Sequence, residues 1–240
     1  MSAMAPNTSL ELLGGETMRN KIVQFLYFAL YRLVPVDKTK TGIMHEYKRM
    51  MFYMRLARLF GGPEIILIGN SNSAILRQRS AMMLFDKVAV CLGVGGTLAE
   101  DWVKFFALTK EGRKLKGMMR GARVIWNIGG NYCLRQKMDT MTIGMRGLWM
   151  LFPQSFNCTI PPVHDDIIEE IFHVPGWQIR ENMHKINGVI KATWDPRVYD
   201  LYDLFHDHHE DGVYWWALRD IVHYSRYAVG IIIRLIRATT

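Results

Sequence analysis

Two short clusters in this sequence have the residue types and spacing for nucleophilic catalysis. The first is Ile65-Ile66-Leu67-Ile68-Gly69-Asn70-Ser71-Asn72-Ser73. An unbroken aliphatic run bounded by turn formers reads as a buried strand of a parallel sheet. Ligands of open α/β sheets sit beyond the carboxyl ends of such strands, so Ser71 stands where a hydroxyl nucleophile would be presented. A structural reading competes: Ser71 or Ser73 as N-cap of the next helix. The second cluster is Asp220-Ile221-Val222-His223. Asp and His three apart share one side of a helical turn. The carboxylate can orient the imidazole and stabilise its charged form while the other ring nitrogen serves as a base. Asp203-Leu204-Phe205-His206 has the same spacing and competes for the role, and Asp211-Gly212-Val213-Tyr214 carries Tyr where His is needed.

These clusters are positioned by an alternating pattern. Strands are predicted at 64–69, 86–92, 122–128, 156–161 and 197–202. Helices are predicted between them near 72–82, 97–109, 133–150, 165–172 and 179–193, with a closing helix at 225–237. Such alternation implies right-handed βαβ crossovers, a mostly parallel sheet and helices on both faces. The first three strands each run into a turn of Gly, Asn or Ser: Gly69–Ser73, Gly93-Val94-Gly95-Gly96-Thr97 and Gly129-Gly130-Asn131. Strand ends of one parallel sheet face the same edge, so these turns can converge there, with glycines allowing close backbone approach to a substrate. Gly93–Thr97 lacks the Lys of a P-loop and does not match the dinucleotide fingerprint. Ahead of this region, 16–34 and 43–60 read as helices separated by Pro35-Val36-Asp37 and ended by Gly61-Gly62-Pro63. The expected organisation is an N-terminal helical extension, 1–62, followed by an α/β domain, 63–240, with residues 1–15 poorly ordered.

Taken in order, these stretches resemble the four sequence blocks of the SGNH hydrolases, the GDSL-type esterases and lipases. The resemblance covers roughly residues 64–237. Gly69-Asn70-Ser71-Asn72 is similar to the block that holds the nucleophilic serine. Leu92–Thr97 resembles the block that supplies a glycine N–H, with Gly96 at that position. Ile128-Gly129-Gly130-Asn131 matches the Gly-x-Asn core of the third block, and Asp220–His223 fits the fourth, as does the sequel Tyr224-Ser225-Arg226-Tyr227-Ala228. The resemblance implies a flavodoxin-like three-layer α/β/α sandwich with a five-stranded parallel sheet. It implies a carboxylic or O-acetyl ester hydrolase working through an acyl-enzyme. Ser71, Asp220 and His223 would be catalytic, Ser71, Gly96 and Asn131 would form the oxyanion hole, and no cofactor or metal would be needed. The sequence departs from the family at Asn70, where Asp is usual, at Thr97, where Asp or Ser is frequent, and at Ile221, where Gly is usual. These departures suit a second reading, a catalytically impaired domain of this type that binds carbohydrate or protein; an O-acyltransferase is a third. The Gly-x-Ser-x-Gly elbow of α/β-hydrolases fails at Ser73.

Composition bounds the rest. Half of the 240 residues are hydrophobic, 22% are charged and the net charge is +8, which suits a globular chain with a sizeable core. The positive charge reads as a solvated surface, or as attraction to anionic lipid, nucleic acid or acidic polysaccharide. The expected partner is a small-molecule ester or acylated carbohydrate. Nucleic acid is not expected: the basic stretch Lys104–Arg123, with Glu111 its single acid, is explained as well by a solvated helix and loop. Residues 16–60, rich in Lys and Arg, are a candidate peripheral membrane contact or lid. Cys91, Cys133 and Cys158 have no metal-site spacing and read as buried free thiols of a reducing, cytoplasmic compartment. Residues 22–31 imitate a signal peptide only faintly and read as an amphipathic helix. His206, His208 and His209, with Asp203, Asp207, Glu210 and Asp211, read as a polar loop at the rim of the site rather than a metal centre. Pro161-Pro162 is expected in the cleft wall, and Trp215 and Trp216 either floor a pocket or pack the closing helix.

Overall fold

The computed structural model describes residues 18–77, 82–209, 212–220 and 223–239. The aliphatic runs become one parallel sheet of β1 (Ile65–Gly69), β2 (Ala89–Gly93), β3 (Arg123–Asn127), β4 (Phe156–Cys158) and β5 (Val198–Tyr199), in the order β2-β1-β3-β4-β5. Every residue of β1 and β2 is buried, which is why these strands are continuously apolar instead of alternating. Successive β1 side chains serve opposite cores. Ile66 and Ile68 pack with Trp126 and Trp102 on one face, whereas Ile65 and Leu67 pack with Leu76, Phe205 and Ile232 on the other. Helices therefore cover both faces, and the fold is a three-layer α/β/α sandwich.

The helices are α1 (Met18–Leu30, continued by a 3-10 turn at Tyr31–Leu33), α2 (Gly42–Leu59), α3 (Ser71–Leu76), α4 (Ala99–Leu108), α5 (Lys110–Met118), α6 (Gly130–Arg135), α7 (Met141–Leu151), α8 (Asp165–Phe172), α9 (Gly176–Trp194), α10 (Leu201–Phe205) and α11 (Arg226–Ala238). Several differ from the sequence expectation, each for a local reason. The helix expected at 133–150 is two helices, because Gln136 takes a left-handed conformation (φ 53°) and ends α6. The helix expected at 97–109 is followed directly by α5, since the Thr109 side chain accepts from the Gly112 N–H and caps a new start. The strand expected at 197–202 is only two residues long, because the Asp200 side chain accepts from the Asp203 N–H and initiates α10. The strand expected at 156–161 stops at Cys158, before Pro161 and Pro162, which have no N–H for a ladder. The His-rich loop holds a small antiparallel hairpin, β6 (His206–Asp207) with β7 (Gly212–Val213). Residues 1–15 and 78–81, the latter within the helix expected at 72–82, lie outside the described residues.

The N-terminal helices share the core of the α/β part. β2 is an edge strand, and an uncovered edge exposes unpaired backbone groups. α1 covers it with side chains in place of a sixth strand. Gln24 Nε2 donates to the Ala89 carbonyl (2.7 Å), and Asn20 Oδ1 accepts from the Ala89 N–H (3.2 Å). Asn20 Nδ2 donates to the carbonyls of Met82 (2.9 Å) and Phe85 (3.0 Å). Tyr53 of α2 donates to Gln24 Oε1 and stacks on Tyr27 at 3.7 Å between ring centroids. Asn20 and Gln24 are completely buried, so each lost bond would leave an unsatisfied group. Asn20→Ala and Gln24→Ala are each expected to lower unfolding free energy by about 1–3 kcal/mol in urea titrations. Leu33→Ala, on an exposed position, should change it by less than about 0.5 kcal/mol.

Candidate active site

The first three strands end level. Gly69 sits beside Gly93 on one side and Asn127 on the other, so their turns open at one edge of the sheet. The approach at Gly69 is close: a Cβ there would lie 2.0 Å from the Asn127 carbonyl oxygen. Hydrogen bonds then tie the turns together. Val94 N–H donates to the Gly69 carbonyl (2.9 Å), and Asn70 N–H to the Asn127 carbonyl (3.3 Å).

Within the first turn the two serines separate. Ser73 is fully buried and donates to the Asn127 carbonyl (3.3 Å), which makes it structural. Ser71 is partly exposed and lines a cavity. Neither serine is the N-cap of α3. That role falls to Asn70, whose side-chain oxygen accepts from the Asn72 N–H (3.0 Å). A cap needs an acceptor oxygen, which Asn supplies as well as Asp does; the departure at position 70 is absorbed in this way.

The second and third turns are held against each other. Thr97 Oγ1 donates to the Val94 carbonyl (2.9 Å) and accepts from the Trp102 indole N–H (3.1 Å), fixing the glycine turn. Gly96 is left-handed (φ 73°), and a Cβ there would meet Arg135 Nη2 at 2.9 Å; one on Gly95 would reach Ser71 Cβ at 4.0 Å. Asn131 Nδ2 donates to the Thr97 carbonyl (2.9 Å). An amide nitrogen carries two hydrogens, so one remains for another acceptor. The neighbouring Tyr132 hydroxyl donates to Glu100 and accepts from the Ala99 N–H (3.0 Å). Burial and the Glu100 carboxylate raise its pKa, so it is a neutral strut between α6 and α4.

The fourth stretch forms a pair. His223 Nδ1 is 2.9 and 3.0 Å from the two Asp220 carboxylate oxygens, and the His223 N–H donates to Oδ1 at 3.0 Å. The stretch is tied to the first and third turns: Tyr224 N–H donates to Asn72 Oδ1 (3.2 Å), and Asn127 Nδ2 donates to the Tyr224 hydroxyl (3.2 Å). His223 therefore sits one residue from a bond to the residue after Ser71. Among the described residues Asp203 and His206 are not paired with each other: Asp203 lies 3.6 Å from His208 Nε2, and His206 Nδ1 lies 3.0 Å from His208 Nδ1. Glu210, Asp211 and Ile221 lie outside the described residues. Trp216 packs between Phe205 and Tyr227, 5.8 and 5.2 Å between centroids, whereas Trp215 is 71% exposed. Asn72, Asn127 and Tyr224 are organising residues that sequence reading missed. The available signal was an Asn closing an otherwise apolar strand, Val124-Ile125-Trp126-Asn127.

A small cavity of about 40 Å³ opens beside Ser71, Asn72 and Asn131, with Leu134, Ile160, Pro161, Val163 and Met183 as apolar walls. Pro161 is thus in the cleft wall. Among the described residues no cluster of His, Cys, Asp and Glu could hold a metal ion.

No protein-family model matches the sequence, and no curated protein matches it. Solved structures do share its fold. One is a GDSL-like lipase from Bacteroides thetaiotaomicron, 16% identical, covering 73% of this chain and 86% of that one with a TM-score of 0.56. Another is the acetyl xylan esterase AlAXEase, 12% identical, covering 73% of this chain and all of that one with a TM-score of 0.50. The C-terminal domain of Drosophila Oskar is also similar, 12% identical over 72% of this chain and 86% of that one, TM-score 0.52. At these identities the likeness establishes the fold alone: a five-stranded α/β/α sandwich. Esterases and Oskar share it, so the fold alone does not fix an activity.

All three cysteines are free and buried. Burial pushes the Cys91 thiol from 9.0 up to about 11 and those of Cys133 and Cys158 to about 12. None suits a thiolate nucleophile. Native protein at about pH 8 is expected to react with Ellman's reagent on the timescale of unfolding only, and the urea-unfolded chain at once. The same groups ionise first in the unfolded chain, so they favour folding below pH ~9 and lose that contribution as pH rises toward ~11–12. Denaturant midpoints measured across that range should fall.

Proposed function

We propose that the protein is a serine hydrolase of short acyl esters, such as O-acetylated carbohydrates. The observation that carries this reading is the hydrogen-bond frame that ties four separate loops to one sheet edge, with Ser71, Gly96, Asn131 and the Asp220–His223 pair on them. The esterases among proteins of this fold support it at the level of architecture.

In this mechanism His223 Nε2 takes the proton of Ser71 Oγ as the oxygen attacks the ester carbonyl. Asp220 accepts Nδ1–H, holding the productive tautomer and stabilising the imidazolium. The negative oxygen of the tetrahedral intermediate accepts from the N–H groups of Ser71 and Gly96 and from the second amide hydrogen of Asn131. One such donor is typically worth about 3–4 kcal/mol of barrier. The intermediate collapses, the alcohol leaves with the proton from His223, and water, deprotonated by His223, attacks the acyl-enzyme and releases the acid as His223 returns that proton to Ser71 Oγ. The chemistry calls for no cofactor. The cavity beside Ser71 is small, about 40 Å³, and has apolar walls, which suits a short acyl group. Exposed Trp215, five residues before Asp220, offers an aromatic face to a sugar. The three free cysteines suit a reducing compartment.

Ser71→Ala is expected to abolish hydrolysis of p-nitrophenyl acetate and labelling by a fluorophosphonate while the melting curve is unchanged. A folded, active Ser71→Ala would sink the assignment. His223→Ala should lower kcat by a factor of ~10³ or more, and His206→Ala should not change it; the opposite result moves the base to the hairpin. The acetate ester should exceed the octanoate in kcat/KM by more than about tenfold. Wild-type protein that neither hydrolyses nor takes the fluorophosphonate returns the domain to a binding role, and product partition to added alcohols would mark an acyltransferase.

A further inference from the structure

The four loops occupy one end of the sandwich. At the other end α2, α5 and α7 finish just before β1, β3 and β4 begin. Two grooves of about 420 and 710 Å³ meet there, sharing Gly117. Arg55, Arg58 and Lys114 line one, Arg113, Lys116 and Arg120 the other, and no acidic residue lines either. Among the described residues none of these six forms an ion pair. Arg113 donates to the Ala107 carbonyl (3.0 Å) and Lys116 lies 5.1 Å above the Phe152 ring. The groove floors are apolar, with Met51, Leu56, Val124 and Phe152. On the last turns of α2, α4 and α7, Leu59 (80% exposed), Leu108 (73%) and Met150 (74%) stand in solvent.

One cation near each helix C-terminus would complement the helix dipole. Six, together with three unburied aliphatic side chains, exceed that need. We infer that this end of the molecule docks on an anionic phospholipid surface, its Lys and Arg on the headgroups and Leu59, Leu108 and Met150 among the acyl chains. Single-stranded nucleic acid fits less well, because base stacking needs a row of exposed aromatic platforms, and on these last turns Trp149 (37% exposed) is, among the described residues, the single exposed ring beside the far more exposed Leu59, Leu108 and Met150. Arg55, Arg58 and Leu59 fall within residues 16–60, whose composition suggested a membrane contact; the remaining contacts come from α4, α5, α7 and Arg120 just past α5. The grooves and Ser71 lie at opposite ends of the strands, so a docked molecule presents its cleft to water and draws its substrate from solution. The docking itself does not depend on the catalytic reading.

The full-length protein should co-sediment with vesicles of equimolar phosphatidylcholine and phosphatidylglycerol, only weakly with phosphatidylcholine alone, and be released at about 1 M salt, where screening is nearly complete. The triple variant Arg58→Glu, Lys114→Glu, Arg120→Glu should lower partitioning by at least about tenfold. Leu59→Ser with Met150→Ser should lower it several-fold and, being charge-neutral, keeps the test open if the triple variant unfolds. Arg32→Glu, Lys38→Glu, Lys48→Glu makes the same change in net charge away from the grooves and should leave binding within about twofold. Failure to bind the anionic vesicles, insensitivity to the groove variants, or equal loss in the control variant overturns the inference. So does displacement of bound protein from vesicles by polyuridylate at lower concentration than by phosphatidylglycerol vesicles, which would assign the face to nucleic acid.

Discussion

Gly69 and Asn127 touch where no side chain could stand between them. A Cβ on Gly69 would fall 2.0 Å from the Asn127 carbonyl oxygen, and this contact sets the geometry of the whole edge. It lets the first turn lie directly over the end of β3, so that the Asn127 carbonyl receives both the Asn70 N–H and the Ser73 hydroxyl. With Ser73 held inward, Ser71 is left facing the cavity. The Asn127 side chain then reaches the Tyr224 hydroxyl, and Asn72 takes the Tyr224 N–H. Through two asparagines the closing loop is fastened to turns more than ninety residues away in sequence.

The two ends of the sandwich differ in kind. The end with Ser71 is built from glycine, asparagine and serine, residues that bring backbone N–H groups and short polar side chains close together. The other collects the C-termini of α2, α5 and α7, with arginine and lysine around apolar grooves. A parallel sheet enforces the separation. All strands point one way, so each crossover that leaves the carboxyl edge must return to the amino edge, and α2, which leads into β1, ends there as well. α1 adds a third device at the side of the sheet, where Asn20 and Gln24 satisfy backbone groups that a further strand would otherwise pair.

The sequence alone determined the sandwich, the parallel sheet and the approximate place of its strands, because burial on both faces demands unbroken aliphatic runs and crossovers demand helices between them. It also determined that Gly69–Ser73, Gly93–Thr97 and Gly129–Asn131 would share an edge. Element ends were less legible: α6 and α7 are divided by a left-handed Gln136, and β5 is cut short by the Asp200 cap, both single-residue events with little sequence signature. Only the tertiary structure decided which serine faces the cavity, which Asp–His pair forms, and that Asn70 serves as the cap. Those outcomes rest on contacts with Asn127, Asn72 and Tyr224 across long sequence separations, and no local spacing encodes them. The same holds for the basic grooves. Arg58 and Lys114 line one groove, and Arg120 the groove beside it, only because α2 and α5 end at the same edge of one sheet.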